Sequence, residues 1–303
     1  MALPALADVR RALPKTTIDV VARPSIAPLF RLVRDVDTVV TGDVPRDGKY
    51  SAALLLTNSF QTALAARRAG IPERWGYRSD WRSALLTRAV LPPPDTVHQA
   101  ASYQYLTRSL GFPSGPLEPV LVAGEGAKKE GRQLLLSSGW DGAAPLVALA
   151  PGAAYGGAKR WPEASFAELA SSLARDGIRP VLIGGAADTV QETFEGAAPI
   201  NLIGRTDLQA LAGVLLQCRG LVTNDSGAMH FAAALGVPVV AMFGPTDERV
   251  TRPIARDGRA IILTHDVWCR PCLHRECPLT HACMRGITVA SVAEAVTART
   301  SNQ

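Results

Sequence analysis

Between residues 145 and 244, five short apolar runs alternate with amphipathic stretches: PLVALAP, RPVLIGG, INLIG, GLVTND and VPVVAMFG. Each run is strand-sized, and the stretches between them carry helical spacing. WPEASFAELASSLARDG has Pro162 at its start and Gly177 at its end, the usual asymmetry of a helix. ADTVQETFEG (187–196) and AMHFAAALG read as helices. So does TDLQALAGVLLQC, capped by Thr206 or Asp207. Strand and helix in strict alternation predict an α/β chain whose second half is a doubly wound, Rossmann-like domain.

The first half repeats the logic less cleanly. TIDVVAR, DTVVTGD and SAALLLTNSF read as strands. PSIAPLFRLVRDV, QTALAARRAG (with Gly70 at its C-cap), SDWRSALLTRAV and HQAASYQYLTRSLGF read as helical. A polar, Gly-bearing stretch, LSSGWDGAAP, marks a linker and divides the chain into domains 1–140 and 141–303. Two such domains face a cleft, and ligands of open α/β sheets bind at the carboxyl ends of the strands. The chain opens on a helix, MALPALADVRRALP, with Asp8 among its exposed positions, whereas domains of this class open on a strand. This predicts that Met1 is an internal residue of a longer protein, whose start lies about 15–20 residues upstream, one strand and a loop away.

Composition narrows the function classes. At 303 residues and 47% hydrophobic, the chain can bury two cores. No apolar run reaches the ~18 residues of a membrane helix. No basic segment followed by an apolar core stands at the start, so a cytoplasmic protein is expected. Charge is uneven: residues 1–140 hold 18 Lys and Arg against 12 Asp and Glu, and residues 141–303 hold 14 against 15. The basic half suits either an anionic glycolipid or membrane surface or an ordinary solvated face. No nucleic-acid motif accompanies it.

Two strand-end loops carry the chemistry. In APGAAYGGAKRWP, Gly152, Gly156 and Gly157 admit close backbone approach, and Lys159 and Arg160 add positive charge before a helix N-terminus. That combination suits a phosphate group, though a flexible loop with a surface lysine reads equally well. In TNDSGAMHFAAALG, Asp225 and Ser226 can cap the helix that begins near Gly227. Its free N–H groups could hold the distal phosphate of a diphosphate. His230, one turn in, is by itself a core histidine. The polar cluster Asn224, Asp225 and Ser226 before it argues for a ligand site. Asp225 suits a cap or a sugar hydroxyl better than a phosphate, because like charges repel. FGPTDERV borders the same sheet edge, and Asp188 could meet a ribose or base.

Cys269, Cys272, Cys277 and Cys283 crowd together with His265, His274 and His281. Four close thiols could bind a structural zinc ion or stay reduced in a packed loop. Because they follow the last sheet strand, their role should be structural. Cys218 reads as a buried helix residue.

PGAAYGGAKRWP and NDSGAMHFAAALGVPVVAMFGPTD resemble the lipopolysaccharide heptosyltransferases of glycosyltransferase family 9. CRPCLHREC and LLLTNSFQTALAARRAGIPERWGYRSDWRSALLT are similar to segments of the type II members. The resemblance covers almost the whole chain. It implies a GT-B fold, with lipid A–core oligosaccharide on the N-terminal domain and ADP-heptose on the C-terminal domain. It implies inverting transfer without a catalytic metal, on the cytoplasmic side of the inner membrane with peripheral contact. By position, Lys159 would stabilise the departing diphosphate, Ser226, Gly227 and Ala228 would donate to it, His230 would lie close by, and Asp225 would orient the helix start or donor sugar. The family's base is an Asp in a Gly-Asp loop after the first strand, and no residue here occupies it. Asp8 is not a substitute. Another donor or acceptor, or a non-catalytic nucleotide-sugar-binding role, remain as the rival readings.

Overall fold

A computed structural model describes residues 1–188, 192, 194, 196 and 198–300. They form two compact units, 1–120 and 121–303. The helix expected over 187–196 falls largely outside the described residues.

Unit 1 contains α1 (Leu3–Ala12), β1 (Asp19–Ala22), β2 (Thr38–Thr41), β3 (Ala52–Leu55), α2 (Phe60–Arg68), β4 (Glu73–Tyr77), β5 (Arg88–Val90) and α3 (Gln99–Ser109). Strands β1 and β2 pair in parallel, and β3, β4 and β5 form a second parallel sheet. Two expected helices shrink. PSIAPLFRLVRDV gives only a 3-10 turn over Ala27–Leu32, and SDWRSALLTRAV gives a 3-10 turn over Arg82–Leu85 followed by β5. The β-branched and polar residues after Leu85 end any helical run.

Asp8 is fully buried, contrary to its expected exposure. Its Oδ1 accepts from the Gly115 amide at 2.9 Å and from Arg11 at 3.1 Å. Its Oδ2 accepts from Gln104 on α3 at 3.0 Å. A carboxylate on a helix face can be buried when every oxygen finds a donor. Here it locks α1 to α3, a contact between residues 96 positions apart.

Unit 2 contains α4 (Glu125–Ser137), β6 (Leu146–Ala150), α5 (Glu163–Arg175), β7 (Arg179–Leu182), β8 (Ile200–Asn201), α6 (Leu208–Leu215), β9 (Cys218–Asn224), α7 (Gly227–Ala234), β10 (Val239–Phe243), α8 (Glu248–Thr251), β11 (Ala260–Thr264), α9 (Ala282–Arg285) and α10 (Val289–Thr300). Its sheet is parallel, in the order β11-β10-β9-β6-β7-β8. The order reverses direction between β6 and β9, the switch point where ligands bind in such sheets. Residues of β6, β9 and β10 are buried together with Trp161, Phe166 and Leu169 of the flanking loop and α5. The Trp161 and Phe166 rings meet edge to face, 5.0 Å apart.

The units part between Val120 and Leu121, ahead of the 136–145 stretch, because α4 packs on α6. Their backbones touch at Gly131 and Gly213. A Cβ on Gly213 would lie 1.9 Å from the Ala127 carbonyl oxygen. Gly213→Val is therefore expected to cost about 3 kcal/mol through overpacking, read as a lower thermal midpoint.

Candidate functional site

The site grows from one buried side chain. Asn224, the last residue of β9, is fully enclosed. Its Oδ1 accepts from the Trp161 amide at 2.9 Å, and its Nδ2 donates to the Pro151 carbonyl at 2.7 Å. The loop after β6 is thus pinned at both ends. Trp161 adds a third fastening, its indole N–H donating to the Ile287 carbonyl at 2.9 Å. Between the pins, the chain is free to carry Lys159 out to the sheet edge.

Lys159 Nζ lies 2.5 Å from Asp225 Oδ2, and both side chains are largely buried. Thr246, in the loop after β10, donates its hydroxyl to the same oxygen at 2.7 Å. Among the described residues Asp225 Oδ1 has no hydrogen-bond partner. Lys159 also sits 4.6 Å from the centre of the Tyr155 ring, a cation–π contact that steadies the ammonium without neutralising it.

Ser226 is the N-cap of α7, its hydroxyl accepting from the Ala228 amide at 3.3 Å and lying 3.1 Å from Thr223 Oγ1. The cap is therefore Ser226 alone, since the Asp225 carboxylate is turned to Lys159. Gly227 is exposed, with open space where a Cβ would stand. Ordinary helix termini leave N–H groups and positive dipole at this point. His230 is half-buried on α7, not a core residue.

Lys159, Asp225, Ser226, Gly227 and Ala228 are thus brought to one edge, at the carboxyl ends of β6 and β9. Asp188 has a different local role. Its carboxylate accepts from the Gly185 amide at 2.8 Å and lies 4.0 Å from Arg160. A Cβ on Gly152 would come within 2.3 Å of it. Asp188 therefore packs against the turn that starts the Lys159 loop, and Gly152 must stay small for it.

Residues 269–283 follow β11, a strand beyond the expected last strand VPVVAMFG, and they do more than pack. The Ala158 amide donates to the Arg275 carbonyl at 2.9 Å, and the Gly157 amide to Glu276 at 2.9 Å. Tyr155 donates to the Leu273 carbonyl at 2.8 Å, and His281 Nε2 lies 2.7 Å from the Ala158 carbonyl. Gly156 has φ of 149°, and a Cβ there would strike the Arg275 carbonyl at 2.4 Å. On the other side, Leu273 N–H bonds Pro245, and Arg270 bonds the Gly244 carbonyl at 2.6 Å and Glu248 at 2.9 Å. The Cys-rich segment therefore braces both loops that hold Lys159 and Thr246. Sequence reasoning had no signal for these contacts, which join residues 118 and 119 positions apart.

The four cysteines line one cavity of about 110 Å³. Among the described residues no group of three or more His, Cys, Asp or Glu side chains is placed to hold a metal ion, so of the two alternatives the zinc set is not assembled. His281, one candidate, is engaged with Ala158. Burial raises the Cys283 thiol, and the thiols of Cys277, Cys269 and Cys272 raise it further. Cys218 opens strand β9 and is not a helix residue, and burial pushes its thiol up to about 12. At about pH 8, iodoacetamide is expected to alkylate the half-exposed Cys269, Cys272 and Cys277 and spare Cys218, because only thiolate reacts. Peptide mass mapping reads this.

A larger cavity, about 540 Å³, opens beside Thr246 among Asp247, Glu248, Asp266, Arg249 and Arg270. Both arginines are already paired with carboxylates there. Its three carboxylates outnumber its two arginines, which disfavours a diphosphate, whereas the Lys159 edge sets one cation and the start of α7 against one carboxylate.

The profile of glycosyltransferase family 9 (heptosyltransferase) matches residues 46–283. Lipopolysaccharide heptosyltransferase 2 of Escherichia coli (strain K12) is 34% identical over 283 residues, spanning 82% of this chain and 80% of that protein. The solved E. coli ADP-heptose LPS heptosyltransferase II superposes with a TM-score of 0.84 at 28% identity, covering 99% of this chain and 94% of that one. E. coli heptosyltransferase WaaC with ADP shares the fold, with a TM-score of 0.72 at 20% identity over 98% and 95% of the two chains.

Proposed function

Because this chain belongs to glycosyltransferase family 9, the heptosyltransferases, we propose that it moves a heptose from ADP-heptose onto the inner core of lipopolysaccharide. The observation that carries the reading is the Lys159–Asp225–Thr246 cluster at the foot of α7. In transfer, an acceptor hydroxyl oxygen bonds to the anomeric carbon and gives its proton to a base, while the bond from that carbon to the diphosphate breaks and ADP leaves with growing negative charge. A fixed cation and helix N–H groups aimed at that charge lower the barrier without reorganising. Lys159 is such a cation, held by Asp225 and Tyr155 before the donor arrives. Ser226, Gly227 and Ala228 present the helix start to the same diphosphate.

Asp225 takes the complementary role. Its Oδ2 is committed to Lys159 and Thr246, which leaves Oδ1 to accept a hydroxyl of the donor sugar. Unit 2 thus takes the nucleotide sugar, and unit 1 takes the lipid A–core acceptor. No helix among the described residues is long and apolar enough to cross a membrane. The enzyme is proposed to meet its glycolipid acceptor from the cytoplasmic face of the inner membrane.

The test is product formation from ADP-heptose and a heptose-deficient core acceptor, followed by chromatography. A product heavier by one heptose supports the reading. Tight ADP binding with no transfer would replace it with a binding role.

A further inference from the structure

We propose that Trp81 in unit 1 is a stacking platform for a sugar ring of the acceptor saccharide. This rests on the reading that unit 1 receives the acceptor. Trp81 is 96% exposed, the most open large hydrophobic residue among the described residues. It is also held in a conformation that such residues avoid: Asp80 and Trp81 have φ of 46° and 59°, consecutive left-handed residues without a glycine. Strain of this kind persists only where the surroundings over-determine it, and it concentrates at ligand sites.

The surroundings here are built around the next residue. Arg82 is fully buried. Its guanidinium donates to the Tyr77 carbonyl at 2.9 Å, to the Thr57 carbonyl, and to Asn58 Oδ1 at 3.4 Å. Gly76 leaves room for it, since a Cβ there would lie 3.0 Å from Arg82. Ser79 adds a bond to the Asn58 carbonyl at 3.1 Å. The loops after β3 and β4 are thereby tied together at the carboxyl ends of two parallel strands, where ligands of open α/β sheets bind. Burying Arg82 in this way turns Trp81 outward.

The chemistry of the exposed surface selects the ligand. Arg78 and Asp80, which precede Trp81 in the same loop, are exposed, and one indole is too small an apolar area for a protein partner or for insertion between acyl chains. It does match one pyranose, whose C–H face is apolar and whose edge carries hydroxyls. A rigid aromatic ring gives that contact at small entropic cost.

The test uses a deacylated, heptose-deficient core oligosaccharide, so that no lipid is present. With wild-type protein, this saccharide is expected to protect Trp81 from N-bromosuccinimide oxidation, read by peptide mass mapping. The exposed Trp268 in unit 2 should still react. Trp81→Ala is expected to raise the acceptor KM about tenfold, with kcat and the ADP-heptose KM within about twofold, and Trp81→Phe should restore most of the loss. Saccharide binding that leaves Trp81 reactive, or an effect of Trp81→Ala confined to acylated acceptor, would overturn the inference. The second result would assign the indole to lipid instead. A wild-type enzyme that neither binds nor glycosylates the saccharide would overturn the acceptor assignment along with it. The protection measurement stands even if the alanine variant folds poorly.

Discussion

Lys159→Ala lowers kcat on the order of 10²- to 10³-fold, the usual loss when one preorganised group facing developing charge is removed. Steady-state kinetics with ADP-heptose measures it. The structure adds that stability falls too, because Lys159 and Asp225 form a largely buried pair. Removing one partner leaves a buried carboxylate with only Thr246 as donor, a cost of roughly 3 kcal/mol. The double variant Lys159→Ala, Asp225→Asn removes both charges, so its melting temperature should recover most of the way while its turnover does not. Full activity in Lys159→Ala would end the leaving-group assignment. Equal recovery of turnover and stability in the double variant would make the pair a purely structural one.

Asn224→Ala should be the most damaging single change to the folded unit 2. It strands the Trp161 N–H and the Pro151 carbonyl in a dry interior, each worth about 1–3 kcal/mol when left unpaired. For a unit of this size the melting point should drop by roughly 10 °C. It also releases both ends of the Lys159 loop, so the surviving folded protein should lose turnover as well. Asn224→Asp separates the two bonds. It keeps the acceptor for Trp161 but sets a carboxylate against the Pro151 carbonyl. Protonation returns a donor, so the deficit of Asn224→Asp should shrink as pH falls, whereas that of Asn224→Ala should not. Denaturation at two pH values distinguishes them.

Strands β6 to β10 and helices α5 to α7 were legible because their spacing is local: an apolar run, a capping residue, a terminal glycine. Elements β4, β5, β11, α4 and α8 to α10 were not legible in that way. ERWGY and EGAKKEGRQLLLS carry too many polar residues to stand out, and only neighbouring strands or the Gly131–Gly213 contact give them a place. Asp8 shows the limit most clearly. On its helix it falls among polar neighbours, yet Gln104 and Gly115 fold over it and bury it.

For the site, sequence by itself determined the inventory: glycines, a lysine and a capped helix at the ends of two strands, in segments that mark the family. Those features depend on residue type and short spacing, which survive without any fold. Tertiary structure alone decided the partnerships. It turned Asp225 from a cap into the partner of Lys159, made Asn224 the pin of the loop, and drew the Cys-rich segment against both ligand loops. These contacts include separations of 22 to 119 positions. No local pattern encodes such pairings, because they exist only once the sheet order has brought the strand ends side by side.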